Sequence, residues 1–306
     1  MVSVVVCTHN PRKEYLERCI QAIEPQVRGR MDREFLIIDN DSDPPVATLD
    51  CVRSRQIKTV REERLGLTAA RECAARVASH EVIVFADDDN VLSATFLDTA
   101  TDMLSDSRIG VLGAQVEPEY ETPPARWALR FQTSLGLRWF PSDLVYLTSI
   151  PEYTEYFPIG AGCCIRTGIL REYFNSLGAA ERIEGRRGSQ LSSGEDVDID
   201  LFAISRGYQL AVSRRLRVTH LIPGSRLTYA YFHRLLLGAL DSSFLINQKW
   251  RARFGRDVFA YLSGDQKATL LKALLYTGLS FRTEYRLLAQ IHRRLLSLSR
   301  VTGPRA

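Results

Sequence analysis

The chain reads as an α/β protein, a mostly parallel sheet flanked by helices, with an all-helical C-terminal part. Three observations predict this. The apolar runs Val2–Val6, Phe35–Ile38 and Val82–Phe85 lack polar alternation, which marks strands buried on both faces. Helical periodicity follows the strands, so strand and helix alternate. Polar clusters sit where strands end, at the edge where open α/β sheets bind ligands.

Strand Val2–Val6 leads through Thr8-His9-Asn10-Pro11 into a helix over Lys13–Ile23, with Leu16, Cys19, Ile20 and Ile23 at three- and four-residue spacing. Phe35–Ile38 ends in Asp39-Asn40-Asp41-Ser42-Asp43 and a proline pair. A short strand near Lys58–Val60 passes through Gly66 into a helix over Thr68–Val77. Val82–Phe85 closes on Asp87-Asp88-Asp89, and a helix is expected over Leu92–Leu104. Val111–Val116 reads as a strand, Arg126–Leu135 as a short helix and Cys163–Ile165 as a strand. Gly185–Gly194, polar and glycine-rich, reads as a mobile loop. Glu195 opens a helix that Gly207 ends as a C-cap, and Leu216–Thr219 is a strand. Beyond Pro223 helices are expected near Tyr229–Trp250, Ser263–Tyr276 and Glu284–Leu298.

With 306 residues the chain suffices for one large α/β domain plus an accessory segment. The six cysteines show no zinc or disulfide spacing, which fits a reducing, cytoplasmic setting. No signal-peptide pattern is read at the N-terminus, and no apolar run approaches the roughly 20 residues that span a bilayer. Net charge is +4, unevenly spread: residues 226–306 hold fourteen Lys/Arg against four Asp/Glu, a net +10, leaving −6 for the rest. The basic part is either a solvated helical face or a surface for anionic partners. One stripe, Tyr229, Phe232, Leu236 and Leu240, reads as packing against the first domain. A membrane-surface helix pair would instead turn Arg282, Arg286, Arg293 and Arg294 towards anionic headgroups.

The triplet Asp87-Asp88-Asp89 is the strongest chemical signal, since three adjacent carboxylates repel unless a cation holds them. A hard divalent ion such as Mg²⁺ or Mn²⁺ would do so; the plainer reading makes Asp89 or Asn90 a helix cap. Thr8-His9-Asn10 can line a nucleotide pocket, Asp39 can accept from a base edge, and the turn Leu65–Arg71 would bring Arg71 to a pyrophosphate or to Asp39. A dinucleotide oxidoreductase is excluded, because no glycine-rich turn follows the first strand. An aspartyl phosphatase would leave Asp39, Arg71 and Glu195-Asp196 unexplained, and a nucleotidyltransferase lacks a glycine-rich, lysine-containing N-terminal loop.

Taken together, VSVVVCTHNPR, FLIIDNDSDPP, GLTAARECA and VIVFADDDN resemble the N-terminal half of family 2 glycosyltransferases, which have the GT-A fold. FPIGAGCCIRTGIL resembles that family's acceptor-side segment, and SGEDVDIDLFAISRGYQLAV its Glu-Asp motif and following helix, so the resemblance runs from Val2 to about His220. It implies an inverting transfer from a nucleotide-diphosphate sugar, with UDP first and dTDP or GDP open, to a saccharide or glycoconjugate acceptor, with Mg²⁺ or Mn²⁺. Asp87 would contact ribose or base, Asp89 the metal, with Asp88 able to exchange roles with either. Asp196 would be the general base, Gly162 and Glu195 would lie on the acceptor side, and His220 would be a further metal ligand. His9 stands where the family has an aromatic residue. Asp198 and Asp200 fall off the face of Asp196 and are expected to be solvated or dipole-stabilising. The implied division is residues 1–224 as the catalytic domain (1–108 nucleotide half, 109–224 acceptor half) and 225–306 as a helical extension. A non-catalytic sugar-nucleotide-binding protein, or a scaffold protein, on the same fold is the alternative.

Overall fold

In the computed structural model the described residues are 1–142, 145–147, 152–178, 181–186, 191–262, 266–279 and 282–301. The chain runs β1 (Val2–Thr8), α1 (Lys13–Val27), β2 (Arg33–Asp39), α2 (Asp50–Arg53), β3 (Lys58–Arg61), α3 (Leu67–Val77), β4 (Val82–Asp87) and β5 (Asn90–Leu92). It continues through α4 (Phe96–Met103), β6 (Ile109–Tyr120), α5 (Arg126–Leu129), β7 (Val145–Leu147), β8 (Cys164–Arg166) and α6 (Thr167–Ser176). Then come α7 (Glu195–Ser205), β9 (Gln209–Ile222), α8 (Tyr229–Phe254), α9 (Gln266–Gly278) and α10 (Thr283–Val301).

Among the described residues these strands form one sheet in the order β3-β2-β1-β4-β8-β6-β9-β5, with β7 against β9. Strands β1 to β4 pair in parallel, β8 is antiparallel to both β4 and β6, and β6 and β9 are parallel. The chain leaves β1 towards β2 and returns on its other side as β4, so a crevice opens at the C-terminal ends of β1 and β4. Register aligns Thr8 with Asp39 and Cys7 with Asp87, bringing the strand-end polar clusters to that one edge.

Both faces of the sheet are covered, as the unbroken apolar runs require. In β1, Val4 and Val6 join the core formed with α1 and α4, while Val5 and Cys7 join the core formed with α3, α6 and α7. Each such fully buried Val or Ile stabilises the fold by about 1.5–3 kcal/mol. The six thiols form no disulfide.

Three elements differ from expectation. The helix expected from Leu92 starts only at Phe96, because Asn90–Leu92 pairs antiparallel with Val218–His220 as β5. Asn90 therefore caps no helix; its Oδ1 accepts from Asp87 N–H at 3.1 Å and closes the tight turn carrying Asp88 and Asp89. Helix α6 was not foreseen, and β9 is far longer than Leu216–Thr219. Residues 187–190 of the expected loop lie outside the described residues; those around them form no helix or strand.

The C-terminal helices pack into both cores. Phe232, Leu235 and Leu287 belong to one, and Ile246 and Trp250 to the other. Phe232 meets the Trp127 ring edge-on at 5.4 Å, consistent with the expected packing stripe. Asp198, expected in solvent, is instead fully buried between α6, α7 and α8. Its carboxylate accepts from Tyr173 Oη at 2.6 Å and Trp250 Nε1 at 2.6 Å, and pairs with Lys249 Nζ at 2.7 Å. Helix α8 covers what would otherwise be the wet side of α7, which is why helical spacing alone misplaced this residue. Asp200 is also buried.

Asp198→Ala should strand the Lys249 charge and three buried donors, Tyr173 Oη, Trp250 Nε1 and the Ile183 N–H, destabilising the protein by about 3–5 kcal/mol in urea denaturation. A loss under about 1 kcal/mol would mean that water replaces the carboxylate.

Candidate active site

At the C-terminal ends of β1 and β4 lies a cavity of about 950 Å³, within the size range of small-ligand sites. Thr8, His9, the aspartate triplet, Arg71, Glu195, Asp196 and His220 all line it. The β4–β5 turn places the triplet. Thr8 Oγ1 donates to Asp88, and the β5–β9 pairing sets Asn90 opposite His220, which brings Asp89 to that imidazole.

Burial and mutual repulsion decide the charges of the triplet. Desolvation, then the charge of Asp89, raises Asp87 above the usual carboxylate range and pushes Asp88 up to about 7. Burial opposes ionisation of Asp89 too. There His220 and the guanidinium groups of Arg226 and Arg186 outweigh it and hold the carboxyl below its ordinary range. Asp89 is thus the member held most firmly in the ionised form.

Asp89 Oδ2 and His220 Nε2 lie 3.4 Å apart, close to the roughly 3 Å between neighbouring ligands on an octahedral ion bonded at about 2.1 Å. His220 Nδ1 is buried and has no hydrogen-bond partner among the described residues, leaving Nε2 as the ring's polar tie. No cluster of three or more His, Cys, Asp or Glu side chains suited to a metal occurs among the described residues. Two protein ligands with water and substrate phosphates are a normal Mg²⁺ arrangement, so the residues fit a divalent ion. The nitrogen nearest to both ligand atoms belongs to Arg226, whose Nη1 is 2.8 Å from Asp89 Oδ2 and 3.1 Å from His220 Nε2.

Arg71 is buried, lines the cavity and lies 3.1 Å from Glu195 Oε1; of its two expected neighbours, a pyrophosphate or Asp39, it does not pair with Asp39. Its guanidinium also stands 5.3 Å from the Phe85 ring centre. Gly160 makes this possible: a Cβ there would be 2.1 Å from Arg71 Nη2. Glu195 is paired with Arg71 and only 5% exposed, at the wall of the cavity. Asp196, half-buried at the N-terminal end of α7, accepts from Gly160 N–H at 3.3 Å and from Val197 N–H at 2.9 Å. It forms no ion pair among the described residues. Asp200 is buried with Oδ2 unpartnered; burial, then Asp196, raises it far above the carboxylate range.

Three expected residues lie away from the cavity. Asp39 accepts from the N–H groups of Ser42 (2.9 Å) and Val46 (3.0 Å) and from Arg61 (3.2 Å), shaping its own loop. Asn10 likewise braces that loop: its N–H donates to Ser42 Oγ and its Oδ1 accepts from Asp43 N–H. Gly162 packs against Val218, Ala114 and Phe96, with a φ of +70°. Asn40, Arg186 and Arg226 line the cavity without having been foreseen. Asn40 sits beside Asp39 in the same polar cluster, whereas Arg226 lies past the recognisable motifs, where it was counted with the basic tail.

Solved structures share this architecture. S. aureus TarS 1-349 in complex with UDP-GlcNAc has a TM-score of 0.55 at 14% identity, over 98% of this chain and 91% of that one. The mannosyltransferase PcManGT from Pyrobaculum calidifontis, in complex with GDP-Man and Mn²⁺, has a TM-score of 0.53 at 16% identity, over 99% and 86%. GalNAc-T7 with UDP, GalNAc and Mn²⁺ has 0.52 at 16% identity, over 83% and 50%. The fold is therefore the GT-A fold. Residues 3–174 match the sequence model of Glycosyl transferase family 2, so the chain belongs to that family and is a glycosyltransferase.

Gly160→Ala should displace the Arg71 guanidinium and destabilise the protein by about 1–3 kcal/mol, read as a lowered thermal midpoint. An unchanged midpoint would show that Arg71 has room to move.

Proposed function

We propose that the protein is an inverting, metal-assisted glycosyltransferase. It would move a sugar from a nucleotide-diphosphate donor, UDP-sugar first, to a hydroxyl of a saccharide, lipid-linked saccharide or other glycoconjugate. Construction of a polysaccharide at the cytoplasmic face of a membrane suits that reading. The observation that carries it is the contrast between Asp196 and its neighbours. Glu195 is ion-paired and Asp200 sealed away, while Asp196 lines the triplet's cavity and forms no ion pair among the described residues.

As general base, Asp196 accepts the proton of the acceptor hydroxyl while that oxygen bonds to the anomeric carbon. The bond from that carbon to the diphosphate oxygen breaks, the electron pair leaves with the nucleotide, and configuration inverts. Arg71 holds Glu195, and with it the start of α7, in place. Thr8, Asp87 and Asp88 line the expected nucleotide side. Mg²⁺ or Mn²⁺ held by Asp89 and His220 would supply Lewis-acid charge for the departing diphosphate; the Mn²⁺ in two of the neighbours supports this. By role, residues 1–224 form the catalytic domain and 225–306 the helical extension.

Asp196→Asn should lower turnover roughly a thousandfold while keeping metal-dependent thermal stabilisation by the donor. Turnover within tenfold of wild type would overturn the base assignment, and no response to any of a panel of nucleotide sugars would favour a scaffold.

Peripheral membrane contact could also use an apolar surface beside the arginines first considered. Arg282, Arg286 and Arg293 are exposed, while Arg294 pairs with Asp241 at 2.6 Å, Arg293 donates to Thr277 at 2.9 Å, and Arg286 sits 5.7 Å from the Tyr229 ring. Exposed as well are Leu271, Leu274 and Leu275 on α9, in a segment of net charge +10. No helix among the described residues is long and apolar enough to cross a membrane. Changing these three leucines to serine should abolish flotation with anionic liposomes; unchanged flotation would sink the idea.

A further inference from the structure

The place where a divalent ion would bridge Asp89 and His220 is held by part of the protein itself. Arg226 Nη1 is 2.8 Å from Asp89 Oδ2 and 3.1 Å from His220 Nε2, atoms that are themselves 3.4 Å apart. A donor nitrogen at those distances uses the same lone pairs that a metal would use. The contact is sheltered: the side chains of Asp89 and His220 are 8% and 9% exposed, and that of Arg226 is 24% exposed. Arg226 lies on the short helical turn Gly224–Leu227 between β9 and α8, a few residues beyond His220, so it approaches along the same strand exit. Arg33, Arg71 and Lys249 are equally buried or more so, but each is committed to a protein carboxylate outside this pair of atoms.

We propose that Arg226 is a resident cation at the metal position: it holds Asp89 and His220 together when no ion is present and is displaced when a divalent ion binds. His220 Nε2 has a single lone pair, which cannot serve an Arg226 N–H at 3.1 Å and a metal ion at once, so the two compete. Two consequences follow. The acidic turn stays charge-balanced in the empty enzyme, and apparent metal affinity is the intrinsic affinity reduced by the strength of the Arg226 contact. This inference rests on the metal-assisted reading above and adds to it a residue that tunes metal affinity without being a ligand.

The test is Mn²⁺ binding to the full-length protein, followed by the loss of the free-ion electron paramagnetic resonance signal, with no turnover required. Arg226→Gln keeps a hydrogen-bond donor without the charge, and Arg226→Met keeps the bulk. Both should bind Mn²⁺ about ten- to a hundredfold more tightly than wild type, the effect of removing one charge-assisted hydrogen bond. Adding Asp89→Asn to either variant should abolish the gain, which locates it at this pair. Unchanged or weaker Mn²⁺ binding in both variants overturns the proposal, since Arg226 would then be neutral or would help to build the site. Absence of Mn²⁺ binding in every variant overturns it as well. Donor stabilisation without metal in the same samples would then leave the glycosyltransferase reading standing, whereas no nucleotide response would bring both down.

Discussion

Buried negative charge is the constraint around which this protein is arranged. The triplet, Glu195, Asp198 and Asp200 all lie on or near one edge of the sheet, largely out of water. Desolvating a carboxylate costs several kcal/mol unless a cation or donors compensate. The chain meets this cost with partners from distant segments: Arg71 for Glu195, Lys249 for Asp198, and Arg226 with His220 for Asp89. Asp87 and Asp88 have weaker compensation and shift towards the protonated form instead. Asp196, at the start of α7, lines the same cavity and forms no ion pair among the described residues.

The helical part is joined to this scheme through charge as well as through packing. Phe232, Leu235, Ile246 and Trp250 fill the two cores, but Arg226 and Lys249 reach past them to carboxylates of the sheet edge and of α7. The basic excess of this segment is therefore partly an internal counter-charge to the acidic first part.

Local pattern made much of the fold legible. The unbroken Val/Ile runs of β1, β2 and β4 and the three- and four-residue spacing in α1 depend on short stretches of chain and reappear in place. What escaped depends on distant partners. Asn90-Val91-Leu92 could not be told from a helix start without β9 beside it. Asp198 could not be known to be buried without α8 above it. The same division holds at the site. Thr8, the triplet, Asp196 and His220 were identified from strand ends and motif order, and all line the cavity. Asp39 was chosen by the same logic, yet it turns back on its own loop, and only the geometry of residues 40–46 reveals that. Arg226 carries no motif and is visible only through the atoms it bridges.

The ion pair between Asp89 and Arg226 spans 137 positions of chain, and this bears on how far the protein is modular. A cut or graft after residue 224 would look harmless on motif grounds, because every recognisable signature precedes it. Such a cut would remove the guanidinium from the triplet and the ammonium from Asp198 in one stroke. The helical extension is consequently not an interchangeable appendage: in a chimera, a replacement segment would have to bring cations to the same two points as well as a matching apolar surface.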